Sequence, residues 1–264
     1  MPRLTVRGAD LAYDVSGAGP AVVQLHGLTS SRARDAGFGL DLAGGMPGVR
    51  TLRYDARGHG RSTGTADAAD YTWPRLADDL LAVTDHVFGD EPVHGVGPSM
   101  GTGTLLHAAV RRPERFSTLT LLIPPTAWNS RIVQKMTYRQ SADLVERSGV
   151  DAFVELGLRA ARPPAVDATA PVGRPDVDED LLPTVFRGAA TTDLPPYEEI
   201  AELAIPTMIL CWVEDPSHPM STAWLLHEIL PDSRMEVATT PDQVAHWPAL
   251  LADHVGQSSA GSAA

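Results

Sequence analysis

The chain contains one cysteine, Cys211, and one lysine, Lys135, among 264 residues. A single thiol excludes an intrachain disulfide framework and permits a reducing compartment. Set in the apolar run Met208-Ile209-Leu210-Cys211-Trp212, it reads as a buried core thiol. A single lysine leaves only one candidate for any mechanism built on a lysine base or Schiff base. Positive charge is also short: 21 basic residues against 33 acidic ones give a net charge of −12. That sign excludes a nucleic-acid groove and an anionic membrane surface as expected partners. No window reaches the ~18 consecutive apolar residues of a membrane span, and residues 1–17 have no apolar signal core, so the expected location is cytoplasmic. No HExxH pattern and no Cys/His cluster occurs, so neither a metal nor a cofactor is expected.

What remains is an ordinary folded composition, 43% apolar, 20% charged and 6% aromatic, long enough for one large α/β domain or two small ones. Alternation at 4–6 and 11–15, broken at Gly8 and Gly17, predicts an opening antiparallel hairpin. Continuous apolar runs follow at 21–25, 49–54, 92–96, 117–123, 207–213 and 234–238. Helical stretches at 72–87, 101–112 and 221–230 separate several of them, the pattern of parallel strands covered on both faces. The predicted architecture is an α/β, doubly wound, mostly parallel sheet.

The ~80 residues between the sixth and seventh strands exceed any simple crossover, which needs a dozen or so. They predict a helical insertion over 124–205, with helices at 131–147 and 150–161 and a flexible proline-rich loop at 162–180. The core then comprises 1–123 and 206–256, and the small, polar stretch 257–264 is expected to be a disordered tail.

The strongest chemical signal is Gly97-Pro98-Ser99-Met100-Gly101, a GxSxG between a strand and a helix. A serine on so tight a turn projects from the sheet, and the helix N-terminus supplies positive potential, which makes Ser99 a candidate nucleophile. The overlapping GxxxGxG spacing through Gly103 suits a nucleotide loop poorly, because such a loop follows the first strand. The Tyr-xxx-Lys that would accompany it is missing, Arg131 standing four residues before Lys135.

With His26-Gly27-Leu28 after an early strand and Tyr54-Asp55-Ala56-Arg57-Gly58-His59-Gly60-Arg61-Ser62 after the next, the chain resembles the α/β-hydrolase family. The resemblance covers nearly all of it outside the insertion; Pro98, where the family more often has a residue with an N–H, is a small departure. It implies an oxyanion hole formed by the amides of Leu28 and Met100, with His26 itself a structural turn residue. It also implies an acid and a histidine downstream of the serine, in that order. Glu214 and Asp215 both qualify by composition; Asp215, with Pro219 four residues on, matches the family's acid loop. Of nine histidines, His246 lies after the last strand, where the family carries its base, and His254 in the last helix is the alternative. His218, beside the acid, is read as shaping that loop, and His59 and His94 as structural.

The insertion is expected to cap Ser99, with Trp128, Arg131, Met136 and Tyr138, and also Arg139, Phe153 and Leu156, as candidate substrate-binding wall. These readings imply a serine hydrolase acting on a small or medium carboxylic ester or lactone, with a small-molecule substrate as partner and the oligomeric state open. The same fold also serves cofactor-free lyases, cyclases and oxygenases, and small-molecule receptors, which remain the alternatives.

Overall fold

A computed structural model describes residues 1–170 and 173–261. The hairpin is present: β1 (Arg3–Val6) and β2 (Ala9–Gly17) pair antiparallel, Leu4 opposite Leu11. Strands β3 (Ala21–Gln24), β4 (Arg50–Tyr54), β5 (Val93–Pro98), β6 (Phe116–Leu122), β7 (Thr207–Trp212) and β8 (Ser233–Ala238) complete a sheet in the order β1-β2-β4-β3-β5-β6-β7-β8. From β4 to β8 every neighbouring pair is parallel. Every residue of β3, β5 and β7 is buried, which is why their sequences are apolar runs and not alternations.

Helices cover both faces; the first, α1 (Arg32–Phe38), follows β3. Helix α2 (Trp73–Phe88) starts with Pro74 in its first turn, ends at Gly89 in a positive-φ conformation, and buries Leu76, Ala77, Leu80, Val83 and Thr84 along one stripe. It packs with α3 (Met100–Arg111) and α7 (Met220–Ile229) in one apolar cluster. On the other face α9 (Trp247–Gly261) drives Trp247, Leu251 and Val255 against Val96, Leu122 and Leu210. Helix α9 takes in residues 257–261, which had been expected to be disordered; residues 262–264 lie outside the described part. No helix among the described residues is long and apolar enough to cross a membrane.

The insertion after β6 is helical. Helix α4 (Trp128–Leu158) breaks at Gly149, whose φ of 80° and ψ of 171° no helix contains, so two helical stretches meet there as the sequence implied. Helices α5 (Leu182–Ala189) and α6 (Tyr197–Ala201) were not foreseen. With Tyr71, residues Ala142, Val145, Leu182, Val185 and Phe186 of α4 and α5 form a separate core. Residues 173–180, part of the loop expected to be flexible, are tied to the core. Asp176 N–H donates to Thr29 O at 2.9 Å, its carbonyl accepts from Gly60 N at 2.8 Å, and Val177 bridges to His59. The segment therefore crosses back over the loops after β3 and β4.

Candidate active site

At the end of β5 the chain reverses into α3 through Ser99, which has φ 51° and ψ −109°. A serine pays about 1–3 kcal/mol for such a conformation unless its surroundings hold it. Here they do: Ser99 N–H donates to Leu122 O at 3.0 Å, and the Thr102 hydroxyl reaches both Gly97 O at 2.8 Å and Leu122 O at 3.1 Å. A β-carbon on Gly97 would lie 2.8 Å from the carbonyl carbon of Gly101, so only glycine lets strand and helix approach this closely. Met100 is the first residue of α3, and its N–H belongs to the turn whose donors have no intrahelical acceptor.

The strand-end loop after β7 carries the remaining polar groups. Glu214 takes a positive φ of 60° and is exposed, turning Asp215 back toward the sheet. Asp215 Oδ1 accepts from Ser217 N–H at 2.9 Å, and Oδ2 from Trp212 Nε1–H at 2.8 Å and from His218 Nδ1–H at 2.7 Å. Burial alone would raise this carboxyl, but the hydrogen bonds from His218, Trp212 and Ser217 outweigh it and hold it at about 2. With its proton on Nδ1 beside a carboxylate, His218 offers Nε2 as acceptor to the Ser99 hydroxyl, 2.8 Å away. The loop is pinned by Thr126 N–H, which donates to Ser217 O at 3.0 Å.

Sequence reasoning missed this histidine. His246, expected against Ser99, is exposed at the junction of α8 (Pro241–Ala245) and α9. The cause is the chain path after β8: Ala238 is followed within two residues by Thr240, whose capping box with Gln243 starts α8 at once. No loop remains to carry an imidazole over the sheet. Trp247 next to it turns inward and stacks on Trp212 with ring centroids 6.0 Å apart. The signal that pointed to His218 was its place three residues after the acid, inside one tight turn. The alternative, His254, is buried on α9 with Nε2 3.3 Å from Leu119 O, and burial lowers its pKa.

The remaining histidines of the signature loops are structural. His26 Nδ1–H donates to Gly27 O at 2.8 Å while Nε2 accepts from Ala56 N–H at 2.9 Å, tying together the loops after β3 and β4. His59 is wholly buried and its pKa is driven down to about 3 by burial, while His94 pairs with Thr118 at 2.8 Å.

A cavity of about 210 Å³ surrounds Ser99 and His218, lined by Gly27, Leu28 and Thr29 from one side and by Arg34, Phe38, Leu40 and Ile123 from the other. Phe38 and Leu40 also line a second cavity of about 660 Å³, walled by residues 165–167, Thr169, Ala170, Trp212 and α8. None of the seven cap residues named from the sequence borders the Ser99 cavity. Arg131 is fully buried, donates to the carbonyls of Ala189 at 3.0 Å and Thr192 at 3.3 Å, and lies over the Trp73 ring at 4.3 Å. Trp128 stacks on Tyr197 and donates its Nε1–H to Pro195 O at 3.0 Å; Tyr138 stacks on Phe186. Met136 is 54% exposed on the outer surface. Phe153 packs on Phe186, while Arg139 and Leu156 face solvent. The amphipathic stripe of α4 serves the cap's own core, and its direction relative to Ser99 could not be read from periodicity. Among the described residues no group of three His, Cys, Asp or Glu side chains is arranged to hold a metal ion.

The family model of the alpha/beta hydrolase fold matches residues 20–143, from β3 through the first half of α4. A Bacillus subtilis (strain 168) protein, named provisionally as a 2-succinyl-6-hydroxy-2,4-cyclohexadiene-1-carboxylate synthase, is 26% identical over 249 residues, covering 89% of each chain. A thermophilic esterase from Thermogutta terrifontis superposes with a TM-score of 0.76 at 19% identity over 98% of this chain and 99% of its own. The enol-lactonase of Burkholderia xenovorans LB400 does so with a TM-score of 0.73 at 19% identity, over 97% and 100%. The chain has the α/β-hydrolase fold.

Proposed function

We propose that the protein is a serine hydrolase that cleaves a small or medium carboxylic ester or lactone through an acyl-enzyme. One observation carries the reading: the unbroken chain from the Ser99 hydroxyl through His218 to the Asp215 carboxylate, with links of 2.8 and 2.7 Å. In it Ser99 attacks the substrate carbonyl as His218 Nε2 takes the hydroxyl proton. The same imidazole then returns that proton to the leaving alkoxide, and Asp215 keeps the tautomer right and offsets the imidazolium charge. The amides of Leu28 and Met100 receive the developing oxyanion, a contribution of about 3–4 kcal/mol for one such donor in a related setting. Water, activated by His218, completes the cycle.

The esterase and the lactonase among the structural neighbours agree with this substrate class, and the cavity at Ser99 has room for a small acyl group, with a larger cavity sharing Phe38 and Leu40 beside it. The partner is then a small molecule. With one cysteine, itself buried, a cytoplasmic setting fits. The test is labelling with a fluorophosphonate together with turnover of a panel of 4-nitrophenyl esters. Labelling at Ser99, ester turnover, and loss of both in Ser99→Ala are expected; a protein that stays unlabelled and inert overturns the reading.

The Bacillus subtilis relative is named as a synthase, which supports a second reading, cofactor-free lyase chemistry in the same cavity. In that case His218 and Ser99 move a proton without acylation. Fluorophosphonate labelling with no turnover of any ester separates this reading from hydrolysis.

A further inference from the structure

Arg34 is the one arginine or lysine among the described residues that line the Ser99 cavity. Most arginines of this chain are neutralised locally: Arg57 by Asp79 at 2.9 Å, Arg32 by Asp55 at 2.9 Å, Arg53 by Asp41 at 2.6 Å. Arg34 has no carboxylate within 4.0 Å among the described residues. One Nη2–H donates to Gly173 O at 2.8 Å, and the guanidinium carbon stands 5.3 Å from the centre of the Phe38 ring. The carbonyl and the ring hold the planar group in one orientation while leaving donors of its fork free.

The nearby acids do not neutralise it. Asp35 also borders the cavity, but its carboxylate is engaged by the Ser30 hydroxyl and by Gly27 N–H at 3.3 Å, and Asp176 reaches Arg34 only through space. Burial lowers the Arg34 pKa, with Asp176 and Asp35 recovering only part of it, and burial raises the pKa of Asp35. A half-buried cation with no carboxylate within 4.0 Å favours an incoming anion, and a planar fork favours one with two oxygens.

We propose that Arg34 selects substrates carrying a carboxylate, which it holds beside the Ser99 nucleophile while the apolar remainder passes Phe38 and Leu40 into the larger cavity. The proposal rests on the reading that Ser99 works on a carbonyl in this cavity, and it narrows the substrate class to an anionic ester. Arg34 is here a binding residue with no proton to transfer.

The experiment uses two esters of similar length, 4-nitrophenyl hemiglutarate, which is anionic, and 4-nitrophenyl hexanoate, which is neutral. Binding of each to the Ser99→Ala protein is measured by calorimetry, and kcat/KM of each by the active enzyme. The anionic ester should bind at least tenfold more tightly. In Ser99→Ala/Arg34→Gln that ratio should fall to threefold or less, whereas Ser99→Ala/Arg34→Lys, which keeps the charge without the fork, should retain part of it. Equal affinities, binding of neither ester, or an equal loss for both in the glutamine variant overturns the proposal; the last would mean that Arg34 only ties down the segment at Gly173. Binding with the expected ratio but no turnover by the active enzyme leaves the Arg34 assignment standing and sinks the hydrolase reading instead.

Discussion

Asp215 concentrates the chemistry of the site in one carboxylate, because three N–H donors converge on it and one belongs to the imidazole that meets Ser99. Asp215→Asn can no longer fix that imidazole's tautomer and should lower kcat on the order of 10⁴-fold. Glu214→Gln, at an exposed turn position pointing elsewhere, should stay within a few-fold of the parent. Steady-state kinetics on a 4-nitrophenyl ester checks both; the reverse pattern would move the acid to Glu214. The same carboxylate gives a stability signature. Its pKa falls from 3.8 to about 2 on folding, so its contribution is complete above about pH 4 and is lost as the pH drops toward 2. Nearly two pKa units correspond to about 2 kcal/mol. Urea unfolding across this range should show that decline in the parent protein and a flatter profile in Asp215→Asn.

Elements differ in how much of their role shows in the sequence. Strands β3, β5 and β7 were legible because a strand buried on both faces must be a short apolar run ended by a turn, and Gly97 was legible because the serine turn leaves no room for a β-carbon. Gly97→Ala should therefore abolish labelling of Ser99 even where the protein still folds, read by fluorophosphonate gel and circular dichroism. Helix α8 was not legible: its Thr240 capping box consumes the loop in which His246 was expected to swing over the sheet. Helix α4 shows another limit, since periodicity reveals an apolar face but not what it meets. Arg131, taken as a pocket residue, is sealed among Trp73, Tyr138 and three carbonyls. Arg131→Ala should lower stability by about 3–5 kcal/mol through the lost packing and the stranded carbonyls, seen as a reduced urea midpoint. It should depress turnover of all esters alike; a change in chain-length preference would return Arg131 to the pocket wall.

In the whole molecule, the cavities at and beside Ser99 are walled by the loops of the core and the return segment of the insertion, and not by the long cap helix. Phe38 and Leu40 line both the Ser99 cavity and the larger one. Leu40→Trp should cut turnover of long-chain 4-nitrophenyl esters at least tenfold relative to the acetate, and an unchanged chain-length profile would place the long group elsewhere. All of this depends on which imidazole serves Ser99, a matter of how two strand-end loops converge in space. The rate of fluorophosphonate labelling compared in the parent, His218→Ala and His246→Ala measures it directly. The geometry predicts labelling slowed on the order of 10³-fold or more in His218→Ala, as when one member of a triad is removed, and near the parent rate in His246→Ala. Labelling lost in His246→Ala and kept in His218→Ala would contradict it.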